Sequence, residues 1–150
     1  MITQHTPAQI ALAREKLTSA RILAARKVSP YLAHALYAMV FTPAPISTMG
    51  ITCKYACGYG VDFVLAESVP TLAIVLLHEI AHPLRKHSAR WEALGKPDFQ
   101  AWNRAADREI NDDLDALIRA YNAQITDIAK QLAWPVSCKP CLPEGIGMPP

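Results

Sequence analysis

Apolar residues recur at helical spacing in the first part of the chain. From about residue 7 to residue 28 they follow steps of three and four, which is typical of an amphipathic helix; the members of this stripe are Ile10, Ala13, Leu17, Ala20 and Ala24. Thr6 can cap this helix with its hydroxyl, and Pro7 suits its first position. Ser29-Pro30 repeats the same start signal, so a second helix is predicted from there to about Val40.

The pattern then changes to short segments that are rich in β-branched and aromatic residues. Pro43 and Pro45 should stop the second helix. Residues 51–55 and 59–64 flank Cys57-Gly58, and their composition favours strands. We therefore predict a small β-hairpin over residues 51–65, with its turn at Cys57-Gly58.

Two longer helices are predicted in the second half of the chain. The segment 72–77 is apolar on every side, so the helix that begins after Ser68 should run through the middle of the fold. After a Gly-Lys-Pro break at residues 95–97, Asp98 can cap a helix that ends near residue 118. The apolar stripe of this helix consists of Trp102, Ala106, Ile110, Leu114, Leu117 and Ile118.

These elements predict one domain of the α+β class, mostly helical with a small sheet. The length of 150 residues is near the commonest domain size. A further helix is expected over residues 125–132. Residues 135–150 hold five prolines and two glycines, so we predict a domain over residues 1–134 followed by an irregular tail over residues 135–150.

Composition and charge exclude several classes of protein. A hydrophobic content of 51% allows a real core, and a net charge of +2 is too small to indicate nucleic-acid binding. The first residues lack a secretory signal, and the longest apolar run, residues 72–77, is far too short to span a membrane. The sequence therefore predicts a cytoplasmic protein whose four cysteines stay reduced.

The cysteines could form a structural zinc site only as a group of four. Cys138 and Cys141 have the spacing of a zinc knuckle, and Cys53 and Cys57 would have to complete it by a fold-back of the tail. Independent reduced cysteines are the favoured interpretation.

The strongest chemical signal is the HExxH sequence His78-Glu79-Ile80-Ala81-His82. Residues four apart lie on one helix face, so His78 and His82 can bind one zinc ion (Zn2+). Glu79, one step round the helix, could take a proton from a zinc-bound water and deliver it to a leaving amine. Two surface histidines are the plainer interpretation, but the preceding apolar run makes it hard to sustain, because buried histidines need partners.

A catalytic zinc needs a third protein ligand, and two residues compete for this role. His87 lies nine residues after His78, roughly half a turn out of phase on a straight helix. Asp107 borders the apolar stripe of the downstream helix, in one row with Asn103 and Asn111, whose amides could hold its second oxygen. The sequence favours Asp107 as the third ligand and leaves His87 as the alternative.

Several segments together resemble a known family. Residues 41–43, 78–90 and 102–114 resemble the putative zinc metallopeptidase domain of bacteria and their phages, which often precedes a von Willebrand factor A-like domain. Residues 142–145, near the end, are also similar. The resemblance covers most of the chain and implies a zincin-like fold, in which a small sheet packs against the HExxH helix.

The resemblance also implies roles for individual residues. It implies metal ligands His78 and His82 and a catalytic Glu79, and Asp107 matches the downstream aspartate of the family. Pro83 departs from the pattern, because the family usually has an aliphatic residue there, and a proline should kink or end the helix at this point.

The sequence thus predicts a zinc-dependent metallopeptidase that acts on a peptide or protein substrate. An extended substrate would add beside an exposed strand of the hairpin over residues 51–65. The alternative is a catalytically inactive, zinc-stabilised binding module, the remnant of a two-domain protein that works with an ATPase or a von Willebrand factor A-like partner. Pro83 and the end of the chain where a second domain would begin favour this alternative.

Overall fold

The computed structural model describes residues 4–135, which form an α+β fold as predicted. The main elements in chain order are α1 (Pro7–Leu23), α2 (Ala33–Ala38), β1 (Val40–Pro43), β2 (Met49–Ile51), β3 (Ala56–Tyr59), α3 (Val61–Ala66), α4 (Val69–Leu84), α5 (His87–Ala93) and α6 (Phe99–Asn122). A π-helical turn at Ala24–Val28 extends α1, and 3-10 turns lie at Pro30–Leu32 and Ile128–Lys130. Within the described part of the chain, no helix combines the length and the apolar character that crossing a membrane requires.

Helix α4 is the central element of the fold, as its apolar sequence predicts. It begins after Ser68, whose hydroxyl accepts a hydrogen bond from the backbone N–H of Thr71 at 3.2 Å. Helices α1, α2, α5 and α6 and strand β2 all contact it. Because neighbours surround it, α4 buries an almost unbroken series of side chains: Thr71, Leu72, Ala73, Ile74, Val75, Leu76, Leu77, Glu79 and Ile80.

The sheet differs from the predicted hairpin. Its strand order is β1-β3-β2, with β1 parallel and β2 antiparallel to β3. The turn lies between β2 and β3, where Tyr55 has a positive φ of 65° and the Thr52 hydroxyl accepts from two backbone N–H groups. Cys57 and Gly58, the predicted turn, lie inside β3. Short apolar runs do not mark where a turn falls, whereas the local hydrogen bonds of Thr52 do.

The prediction of a strand over residues 59–64 was wrong beyond Tyr59. Residues Val61–Ala66 form helix α3, which follows Gly60. Val61 and Val64 are both buried, and they are three residues apart, a helical spacing that the β-branched composition concealed.

Strand β1 was missed because its partner is distant in the sequence. The second helix, predicted to reach Val40, ends at Ala38, and Val40–Pro43 pairs with β3. Arg21 of α1 supports this change of direction: it donates to the backbone oxygen of Met39 at 2.9 Å and lies over the Phe41 ring. No local pattern of apolar residues shows such a non-local pairing.

Helix α6 is confirmed, whereas the helix predicted after it is not. The Asp98 side chain accepts from the N–H of Ala101 at 2.8 Å, and α6 runs one turn beyond the predicted end. Over residues 125–132 only a 3-10 turn forms. The Asn122 side chain ties the backbone of Leu132 by two hydrogen bonds, of 2.7 and 2.9 Å, which bends the chain back. Residues 136–150, including Cys138, Cys141 and the 142–145 segment, lie outside the described residues, and the domain boundary stays a prediction.

Pro83 ends α4 nearly where expected. The helix stops at Leu84, one residue after the proline, and Lys86 then takes up a left-handed conformation with a φ of 54°. This sharp turn starts α5 at His87. His78 and His87 therefore do not lie on one straight helix, and the predicted half-turn phase difference between them does not apply.

Truncation of the central helix tests the packing of this core. Leu76 is fully buried in α4, so we expect Leu76→Ala to lower the free energy of unfolding by about 2–5 kcal/mol through lost contacts and a cavity. Leu12 on α1 is 50% exposed, and Leu12→Ala is the matched control. This control should change the free energy of unfolding by less than about 0.5 kcal/mol. Urea denaturation of both variants measures the difference, and equal effects would contradict the burial described above.

Candidate metal centre

Three side chains from α4 and α6 converge on one point. His78 and His82, one turn apart on α4, have their Nε2 atoms 3.3 Å apart. Asp107 of α6 places Oδ1 3.3 Å from Nε2 of His78 and 3.2 Å from Nε2 of His82. In a tetrahedral site with metal–ligand distances of about 2.0–2.1 Å, neighbouring ligand atoms are about 3.3 Å apart. The three atoms are therefore spaced to hold one metal ion.

The hydrogen bonds of the imidazoles orient their lone pairs toward this point. Nδ1 of His78 lies 2.8 Å from Oδ1 of Asn111. Because an amide oxygen only accepts, Nδ1 carries the hydrogen, and Nε2 of the neutral ring presents a lone pair to Asp107 and His82. A cation between these atoms would remove the repulsion between their lone pairs, so the donor set fits a metal ion.

Within the described residues, the two amides predicted to support Asp107 make no hydrogen bond to it. Asn111 binds His78 instead, as described above. Asn103 is exposed and borders the cleft, and its side-chain amide makes no hydrogen bond within residues 4–135. The four-residue spacing along α6 correctly placed both amides on the same face as Asp107, but it could not predict the hydrogen-bond partner of each amide.

His87, the alternative ligand, lies behind His82 and not at the point of convergence. Its Nδ1 is 3.0 Å from Nδ1 of His82, and its Nε2 is 3.4 Å from Oε1 of Glu109. Both ring nitrogens are therefore directed to other partners. The geometry brings Asp107, and not His87, to the Nε2 atoms of the two histidines of α4.

An ion-pair cluster beyond His87 was not predicted from the sequence. Glu109 accepts from Arg85 at 3.1 Å and from both terminal nitrogens of Arg90 at 3.2 and 3.3 Å, and Arg85 also pairs with Asp113. Glu109 is two residues from Asp107, so helix geometry alone turns it away from the same face. The chain reversal at Lys86 brings His87 and Arg90 to Glu109, and no clear signal in the sequence predicts this reversal.

The pKa values of Asp107 and His78 are both shifted toward the charged form of the side chain. Burial raises the pKa of Asp107, but hydrogen bonds to His78 and His82 outweigh it and lower the pKa to about 2. Burial lowers the pKa of His78, but the hydrogen bond to Asp107 and the nearby charge of Glu79 raise it overall. Both shifts have one physical cause: a positive charge beside the Asp107 carboxylate is stabilised at the point where the three side chains meet.

Glu79 lies beside the three convergent atoms and is 9% exposed. Burial raises its pKa, and the charges of His78 and His82 offset only part of this rise. A carboxylate with a raised pKa exchanges protons more readily near neutral pH than an ordinary one.

A cleft of about 1100 Å³ opens over the centre, and its wall includes the two histidines, Glu79 and Asp107. Strand β2 with the turn that follows it forms one side, and residues of α5 and α6 form the other.

The family model described as "Putative metallopeptidase domain" matches residues 13–129, most of the chain. The chain belongs to this family. The matched part includes all of α4 and α6, and hence every residue of the centre, so the resemblance to a metallopeptidase domain is confirmed at the level of the family. No curated protein and no solved structure matches the chain.

The Glu109 cluster predicts acid sensitivity of the metal-free protein. Burial raises the pKa of Glu109, but hydrogen bonds from Arg90, Arg85 and His87 outweigh it and lower the pKa to about 2, from a usual 4.5. A lowered folded-state pKa stabilises the fold above the unfolded-state value, and this contribution disappears as pH falls through the folded-state value. We expect Glu109→Gln to lower Tm near neutral pH, and the deficit to shrink between about pH 4.5 and pH 2.

Thermal unfolding in the presence of a chelator, at a series of pH values, measures this deficit. Asp112→Asn, at an exposed position of the same helix, is the control, and its difference in Tm from the parent should not vary with pH in this way. A Glu109→Gln deficit that is constant with pH would contradict the ion-pair assignment.

Proposed function

We propose that this domain is a zinc-dependent metallopeptidase with a zincin-like arrangement of its helix and sheet. His78, His82 and Asp107 would be the protein ligands of the ion. The observation that carries the proposal is the tetrahedral spacing of 3.2–3.3 Å among two imidazole nitrogens and one carboxylate oxygen. Nitrogen and carboxylate donors at this spacing suit zinc, and three of them leave one position for catalysis.

Glu79 is the proposed general base and acid. A zinc ion held by these residues would act as a Lewis acid toward the scissile carbonyl and the attacking water. The Glu79 carboxylate, beside the centre and open to the cleft, would take the proton of the attacking water and deliver it to the leaving amine. Its raised pKa supports this exchange near neutral pH.

Strand β2 is the proposed docking edge for an extended substrate. It is an edge strand of the sheet, paired with β3 on one side, and its residues line the cleft. Gly50, in the middle of β2, is exposed. A peptide lying beside β2 would pair its main chain with the strand and pass the centre. This replaces the broader hairpin over residues 51–65 that the sequence suggested.

Glu79→Gln tests the chemistry. The change keeps size and shape but removes proton acceptance, so we expect zinc binding to persist and peptide hydrolysis to fall by at least about 100-fold. Zinc content of the purified variant and digestion of a peptide library, with and without chelator, measure the two properties. Glu67→Gln, outside the cleft, is the matched control and should cleave like the parent.

The same digest separates the proposal from its alternative. A parent protein that binds zinc but cleaves no peptide would indicate the inactive binding module. Chelator-sensitive cleavage that survives Glu79→Gln would show that another group activates the water. Association with a von Willebrand factor A-like or ATPase partner stays a prediction.

Main-chain pairing along β2 predicts how cleaved peptides respond to N-methylation. Each methyl group removes one N–H donor, and strand pairing uses donors at alternate residues. We expect kcat/KM to fall about tenfold or more at alternate positions and to change little at those between. Peptides from the library digest, methylated one position at a time, provide the measurement. A loss that is uniform along the peptide would argue against strand addition.

A further inference from the structure

We propose that His87, anchored by Glu109, is a positioning residue that fixes the tautomer and orientation of His82. This inference rests on the proposed metal centre and adds to it two residues that do not touch the ion. His87 is 4% exposed, and its Nδ1 lies 3.0 Å from Nδ1 of His82. Its Nε2 lies 3.4 Å from Oε1 of Glu109.

The direction of the hydrogen bonds follows from the Glu109 end. The Glu109 carboxylate, which Arg85 and Arg90 hold by ion pairs, can only accept hydrogen bonds. Nε2 of His87 must therefore donate to it, and Nδ1 of the neutral His87 ring is left with a lone pair. That lone pair accepts from the Nδ1–H of His82.

The consequence for His82 is that its Nε2 has no hydrogen. The lone pair of Nε2 then points to Asp107 and His78, where a metal ion would bind. His78 reaches the same state through the oxygen of Asn111. Both histidines of α4 are thus supported at Nδ1 by an acceptor, one an amide and the other a second imidazole, as is usual for histidines that bind metals.

The local fold is arranged to place this imidazole. Lys86 adopts a left-handed conformation, which costs free energy for a residue with a Cβ, and α5 starts directly afterwards at His87. The His87 ring then lies at ring-centroid distances of 5.1 Å from His82 and 6.4 Å from Trp102. A buried histidine between these rings requires hydrogen-bond partners, and His82 and Glu109 supply both.

Two substitutions at residue 87 separate an acceptor role from a packing role. His87→Phe keeps a ring beside Trp102 but removes the acceptor, whereas the side-chain oxygen of His87→Gln can still accept from His82. His34 is exposed on α2, and His34→Phe is the matched control. Zn2+ affinity is measured by competition with a chromophoric chelator, and the visible spectrum of the Co2+-loaded protein reports the coordination of the ion.

We expect His87→Phe to weaken Zn2+ binding about 10- to 100-fold and to alter the Co2+ spectrum. His87→Gln should recover most of the affinity, and His34→Phe should match the parent. Urea denaturation of the metal-free variants reports packing separately. If His87→Phe fails to fold, Glu109→Leu, which removes the anchor and leaves the imidazole, should show the same loss.

The outcomes distinguish this inference from the proposed function. A parent that binds no Zn2+ would refute both the metal centre and the positioning role. A parent that binds Zn2+, with a folded His87→Phe or Glu109→Leu variant of equal affinity and unchanged Co2+ spectrum, would refute the positioning role alone. Equal losses in His87→Phe and His87→Gln would also overturn it, because the acceptor would then be irrelevant.

Discussion

The whole site depends on the approach of two helices that place three electron-pair donors within 3.2–3.3 Å of one another. Such donors repel unless a proton or a cation lies between them. Helix α4 must therefore be held firmly against α6 while the polar cluster faces a cleft. The apolar sides of α4, packed against α1 and β2, supply this constraint. The apolar packing of α4 is thus what holds the polar side chains near its end in position.

The region around the centre is organised in layers. Next to the three donors are Asn111 and His87, each at one imidazole, and beyond His87 lie Glu109 and its two arginines. Each layer fixes the hydrogen-bond direction of the layer inside it. Through this order His87, Glu109 and the two arginines all have polar partners within a half-buried region.

Much of the fold could be predicted from the sequence where local signals are strong. The caps at Thr6, Ser68 and Asp98 and the periodic apolar residues identify α1, α4 and α6, and HExxH together with the family resemblance selects the residues that converge. The sheet could not be predicted in detail, because β1 pairs with a strand that is distant in sequence. The roles of His87 and Glu109 depend on one left-handed residue, Lys86, and no periodic pattern shows it.

The exposed segment between α4 and α6 affects how tightly the centre could bind an ion. Residues 88–101 are mostly exposed, so few apolar contacts hold this excursion in place, and such segments open locally at small free-energy cost. An ion shared by His82 and Asp107 would join the two ends of the excursion, in the manner of a removable cross-link. Its apparent affinity would then contain the cost of ordering the loop as well as the strength of the bonds to the ion. Shortening or stiffening residues 88–101 would therefore raise the apparent affinity for the ion without altering any ligand.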